Sequence, residues 1–239
     1  MKIVVIIPAY NEERNIGGVL REVRAAQPSA HVVVVNDGST DDTKGVAERE
    51  GATVLELPIN LGIGGAVQTG FLYADSQNYD IAIQIDGDGQ HVPSYIGDLI
   101  EPIGQGKADV VIGSRFLDRG GLKSTFFRRV GIYAFSLLNS ILIGQKITDN
   151  TSGFRAYNRR AIRFLSTNYP YDYPEPEAVI LLGRNNFKIA EVPVRMRERE
   201  HGRSSITRFR TVYYMVKVVL ASCIDVFRKP VQKRGGDGA

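Results

Sequence analysis

Sulfur and long apolar runs are both scarce in this chain. It has one cysteine, three methionines and no tryptophan in 239 residues. A lone cysteine, Cys223, excludes a disulfide framework and a thiolate metal centre and points to a reducing cytoplasm. No uninterrupted apolar stretch reaches the roughly 20 residues that a bilayer-spanning helix needs. Residues 2–8, KIVVIIP, read as a strand from the outset, without the basic stretch and cleavage site of a secretory signal, so none is expected. Neither sign of charge is in large excess: 30 Lys+Arg stand against 26 Asp+Glu, a formal net charge of +4, and no nucleic-acid partner is expected. Internal repeats and low-complexity tracts are missing apart from the tail at 233–239.

What is present is an alternation of two periods. Short β-branched runs at Lys2–Pro8, His31–Asn36, Thr53–Leu57, Ile81–Asp86 and Asp109–Gly113 are bounded by turn residues and read as strands. Helical patterns lie between them, near Glu13–Ala26, Asp41–Glu50, Ile63–Ala74 and Ser94–Gly104. Strands alternating with helices predict an α/β fold with a mostly parallel sheet covered on both faces, as the unbroken Val32–Val35 suggests. One domain over 1–210 is expected, followed by an amphipathic helix at 211–232 and a flexible tail at 233–239. Beyond Gly113 the rhythm changes. In Thr125–Ile143 the polar Arg128, Arg129, Ser136, Asn139 and Ser140 share an arc of roughly 120°; Thr211–Phe227 confines Lys217, Ser222 and Asp225 to one side. Each reads either as a core helix or as one lying in a membrane interface or on a small membrane-protein partner. A basic run, Arg195, Arg197, Arg199, Arg203, Arg208, Arg210 and Lys217, suits anionic phosphates or anionic lipid.

Chemistry concentrates at the strand ends. The fourth strand stops at Asp86 and Asp88, and open α/β sheets bind ligands at that edge. Hard cations want oxygen, so Asp86, Asp88 and the carbonyl of Gln90 are candidate ligands for Mg²⁺ or Mn²⁺ held against a diphosphate. A calcium loop is excluded by spacing, since His91 and Gly97 stand where its Gly and Glu belong. At the ends of the first two strands, Glu12 or Asp37 can accept from a base or ribose, and Pro8 with Tyr10 offers a flat apolar wall. The glycine-rich run around Gly62 and Gly64 lacks the third glycine of a dinucleotide fingerprint, Val67 standing there, but opens a helix whose N–H groups suit an anion.

Taken together, PAYNE, VVVNDGSTD, NLGIGGA, IDGDGQH, GSRF, DNTSGFRAY and RERE-HGRSS occur in one order over residues 1–210. The chain resembles the family 2 glycosyltransferases, and in pattern the dolichol- or polyprenyl-phosphate sugar synthases. The resemblance implies the GT-A nucleotide-sugar-binding fold and an inverting, metal-dependent transfer. The donor would be GDP-mannose or UDP-glucose in type, and the acceptor a polyprenyl phosphate at the cytoplasmic face of a membrane. It implies that Pro8, Tyr10, Glu12, Asp37, Gly64 and Asp86 meet the donor. Asp88 and Gln90 would hold the metal, Arg115 and Arg155 would meet substrate, and Arg199 with Ser204 would close over phosphates. The C-terminal transmembrane helices of some relatives are missing here, so the mode of membrane attachment stays open, as does self-association.

A lipid phosphate is already anionic and needs little help from a base, whereas a hydroxyl acceptor needs a carboxylate to take its proton. Asp149 is the first candidate for that role, then Glu177 or Glu175 of YPEPE; a structural role is open for each. Transfer to a saccharide hydroxyl is the rival reaction, and a non-catalytic nucleotide-sugar-binding partner of a membrane protein is the rival class. A nucleotidyltransferase would want a glycine-rich basic signature after the first strand, where PAYNEE is acidic.

Overall fold

The structure is a computed structural model, and it describes residues 1–117, 140, 143–171 and 173–198. Along the chain run β1 (Ile3–Ala9), α1 (Ile16–Ala26), β2 (His31–Asn36), α2 (Thr43–Arg49), β3 (Thr53–Glu56), α3 (Gly62–Ser76) and β4 (Ile81–Gln84). A 3₁₀ turn (Pro93–Tyr95) leads into α4 (Ile96–Gly104). Then come β5 (Val110–Ser114), β6 (Arg155–Asn158), α5 (Arg159–Asn168), α6 (Pro174–Arg184) and β7 (Ile189–Pro193). The helices expected over Thr125–Ile143 and Thr211–Phe227 lie outside the described residues, save Ser140 and Ile143. So do the tail, Arg199 and Ser204. Among the described residues no helix is long and apolar enough to cross a membrane.

The strands form one sheet in the order β3-β2-β1-β4-β6-β5-β7. Every residue of β1 is buried because helices cover both of its faces. Val5 and Ile7 face α1 and α4 through Ile16, Leu20, Ile96 and Leu99. Val4 and Ile6 face α3, α5 and α6 through Val67, Phe71, Ile162 and Leu182. This is the mostly parallel α/β architecture that the alternating periods predict.

One strand breaks the rule, and it builds the site. β6 runs antiparallel between β4 and β5, with Arg155 opposite Gln84 on one side and Ile112 on the other. Its amino end therefore lies where its neighbours' carboxyl ends lie, and the loop before it, 149–154, meets Asp86 and Arg115 at the same edge.

Helix α3 crosses β1 closely enough that a Cβ on Gly70 would overlap Cγ2 of the fully buried Ile6. Nothing lies within 4 Å of a Cβ on Gly97 in α4. Overpacking costs about 1–3 kcal/mol, against up to ~1 kcal/mol regained from helix propensity. Gly70→Ala should therefore melt several degrees lower than the parent, and Gly97→Ala at or slightly above it. Equal melting temperatures for the two variants would refute this packing.

Candidate active site

The acidic arm follows β4 directly. Ile85 is buried and ends the apolar run, Asp86 and Asp88 are partly exposed, and Gly89 takes φ 78°, a left-handed conformation that suits glycine. The loop is tied from within: the Gln90 N–H donates to Asp88 Oδ1 at 3.0 Å and the Asp86 N–H to His91 Nδ1 at 3.1 Å. It is also tied from outside, since the Gln90 carbonyl accepts the Arg197 N–H at 2.8 Å and His91 bridges Met196. The Gln90 backbone carbonyl thus already serves one backbone pairing, and a carbonyl oxygen has two lone pairs. Among the described residues no cluster of three or more His, Cys, Asp or Glu forms a metal cage. Two neighbouring carboxylates suit a cation whose remaining ligands are water and substrate phosphate, the usual habit of Mg²⁺.

The basic arm leaves β5. Arg115 donates from Nε to Asp149 Oδ2 at 2.7 Å and from Nη2 to Asp149 Oδ1 at 2.8 Å and Thr151 Oγ1 at 2.7 Å. Its backbone N–H adds a bond to Oδ2, and the Thr151 N–H one to Oδ1. Asp149 is fully buried. Burial opposes its charge, but the Arg115 guanidinium and these N–H groups prevail and hold its carboxyl below the usual carboxylate range. Glu191 of β7 steadies the same loop, accepting from the N–H groups of Thr148 and Asp149 at 2.8 Å each. Among the described residues no acceptor engages Nη1 of Arg115, and the side chain is 26% exposed.

Arg155 is not where the sequence puts it. Expected to meet substrate, it is fully buried and donates to three backbone carbonyls, Ser152 at 2.7 Å, Asn150 at 2.9 Å and Glu175 at 3.0 Å. It shapes the loop under the site and does not reach a ligand. Nearby, Glu175 opens α6; burial pushes its carboxyl up, Arg155 pulls it down and the Asp86 charge pushes it further up. Glu177 lies partly buried in the same first helical turn.

Toward β1 the edge turns apolar. Pro8 is buried beside Asp37, whose N–H donates to the Ala9 carbonyl at 2.9 Å, and Tyr10 stands exposed. Asp37 accepts the Leu61 N–H at 2.7 Å; burial pushes its carboxyl up against that bond. Glu12 accepts from the Asn15 side chain at 2.6 Å. Gly64 is buried, and a Cβ there would sit 2.8 Å from the Pro170 carbonyl, so its bareness serves packing. The structure thus brings Pro8, Asp37, Asp86, Asp88, Arg115 and Asp149 to one edge. Sequence reasoning missed Thr151, Gly153 and Glu191, for which only proximity to DNTSGF was a signal.

A family model described as "Glycosyl transferase family 2" matches residues 4–165, more than half of the chain. The chain belongs to glycosyl transferase family 2. As a glycosyltransferase it is 33% identical to an undecaprenyl-phosphate mannosyltransferase of Micrococcus luteus, covering 87% of this chain and 88% of the relative. It is 30% identical to a polyprenol monophosphomannose synthase of Mycolicibacterium smegmatis, covering 90% and 84%. In three dimensions the glycosyltransferase resembles glucosyl-3-phosphoglycerate synthase of Mycobacterium tuberculosis, crystallised with Mn²⁺ and UDP-glucose. The TM-score is 0.67 at 24% identity, over 94% of this chain and 78% of that one. The fold is the GT-A type expected.

Two outcomes test the geometry. A Cβ on Gly153 would stand 2.9 Å from both carboxylate oxygens of Asp86. Gly153→Ala should swing that carboxylate aside and cut turnover at least tenfold with little change in melting temperature; full activity would show that the position of Asp86 is immaterial. Burial holds His91 neutral, its pKa lowered from 6.5 to about 4. The unfolded chain takes up that proton near pH 6.5 and the folded one only near pH 4, so stability is lost as pH falls through this window. The loss by pH 5 is about 2 kcal/mol. His91→Asn should lose that much less between pH 7.5 and 5 in urea titrations; parallel pH profiles would contradict the assignment.

Proposed function

We propose that this glycosyltransferase moves a hexose from a nucleoside diphosphate donor, of the GDP-mannose or UDP-glucose type, to a polyprenyl phosphate, inverting the anomeric centre. The observation that carries the reading is the Arg115–Asp149 pair. Asp149 is buried, charged and occupied on both oxygens, which suits an anchor and not a proton acceptor. The anchored guanidinium keeps an edge for an anion, and a phosphate acceptor needs no base. Two relatives at 30–33% identity bear names of polyprenol- or undecaprenyl-phosphate mannose transfer, which supports the acceptor class.

In the reaction, Pro8 and Asp37 hold the base and ribose end of the donor, and Tyr10 with Glu12 flanks them. Asp86 and Asp88 face the diphosphate and would hold Mg²⁺ or Mn²⁺ there. Such an ion neutralises the charge that grows on the departing nucleoside diphosphate. Arg115 draws the acceptor phosphate to the opposite face of the sugar, its orientation set in advance by Asp149 so that little rearrangement is needed as charge moves. Because the acceptor is a lipid, the enzyme works peripherally on the inner face of a membrane, and the basic composition from Arg195 to Lys217 suits anionic headgroups.

A hydroxyl acceptor would instead need a base, and Glu175, raised in pKa by burial and further by the Asp86 charge, is the carboxyl suited to it. Release of nucleoside diphosphate, with and without polyprenyl phosphate, separates the two. Arg115→Ala and Asp149→Asn should each impair use of the lipid phosphate, and the double variant should be no worse than the poorer single one. Glu175→Gln should cost well under the 10²–10⁴-fold typical of a lost general base. A loss of that size in Glu175→Gln, with Arg115→Ala nearly silent, would overturn the phosphate reading. Asp88→Asn should abolish the Mn²⁺-dependent part of turnover.

A further inference from the structure

Beside the two carboxylates lies a buried ring nitrogen, Nε2 of His91. His91 is 3% exposed, with its ring stacked on Phe154 at 5.2 Å between centroids and 21° between planes. Its Nδ1 accepts the Asp86 backbone N–H. A neutral imidazole that accepts at Nδ1 carries its proton on Nε2, so Nε2–H is a donor. That donor is buried and has no hydrogen-bond partner among the described residues. Asp86 Oδ2 stands 3.7 Å from it, just beyond bonding distance. A buried donor left unmade is costly, and a small turn of the Asp86 carboxylate would satisfy it.

The geometry points to His91 as the positioning residue of Asp86. It grips the backbone through Nδ1 and takes one carboxylate oxygen through Nε2–H when the other turns to a cation. This rests on the proposal that Asp86 faces a metal-bound diphosphate. Carboxylates that ligate metals are themselves hydrogen-bonded, and loss of such a partner typically weakens metal binding 10–100-fold.

The test has two parts with separate readouts. In the intact protein, ¹⁵N NMR of the three histidines should find His91 with its proton on Nε2. Adding Mg²⁺ with UDP or GDP should move that proton downfield and slow its exchange. Mn²⁺ titrations with UDP or GDP present then compare variants. His91→Asn keeps an acceptor near the Nδ1 position and loses the Nε2 donor. It should bind Mn²⁺ about tenfold more weakly while binding the nucleotide alone like the parent. His91→Gln puts an amide donor near the Nε2 position and should recover part of the loss. A proton on Nδ1, an Nε2–H signal indifferent to Mg²⁺ and nucleotide, or parental Mn²⁺ affinity in His91→Asn would each overturn the inference. If the parent and Asp86→Asn bind Mn²⁺ alike, the metal proposal itself fails, and the role of His91 toward the cation falls with it. The tautomer result then reports on the backbone grip alone.

Discussion

A guanidinium taken wholly out of water must find acceptors for its N–H groups, and Arg155 finds three backbone carbonyls, those of Asn150, Ser152 and Glu175. Two belong to the loop before β6 and the third to the first turn of α6, so one side chain decides where both segments lie. The loop in turn carries Asp149, which fixes Arg115, and Gly153, whose bareness admits the Asp86 carboxylate. Both charged arms of the site thus hang from a buried cation that never meets a ligand. This is why a short polar strand is tolerated at the centre of an otherwise aliphatic sheet.

The chemistry that results is one of fixed charges. Asp86 and Asp88 lie on one side and Arg115 on the other; the loop that carries the two aspartates and the Arg115 guanidinium are both held by hydrogen bonds formed on folding. In the proposed transfer the bond to the sugar exchanges one phosphate oxygen for another, so charge moves across the site and no proton needs to be taken from the acceptor. Preorganised groups of opposite sign are the economical answer to that problem.

Much of this was legible in the residues. β1 through β5 and α1 through α4 announce themselves because parallel strands buried on both faces are aliphatic throughout and their helices are amphipathic. Asp86, Asp88, Arg115 and Asp37 stand out as polar residues at the ends of such strands. β6 does not: RAYN is four residues long with a buried arginine at its head, and no periodicity survives at that length. Helix α6 was obscured by Pro174 and Pro176, which the first turn accommodates. For Arg155 the motif was visible but the role was not, and for Gln90 the pairing of its carbonyl was not visible. A guanidinium that binds carbonyls and one that binds phosphate are the same letter, and a carbonyl's partner depends on a chain segment more than a hundred residues away.

The antiparallel insertion of β6 also has a cost in the order of assembly. β4 lies beside β1 as soon as the first eighty-odd residues are made, but its other edge waits for residues 155–158, which pair with Ile81–Gln84. Until they arrive, Ile81, Ala82 and Ile83 form a short aliphatic strand with unsatisfied N–H and C=O groups along one side. Such an edge recruits any strand available, including the same one in another nascent chain. The feature that brings the charged edge together in the finished enzyme is thus the one that leaves an edge of β4 open in the half-made molecule.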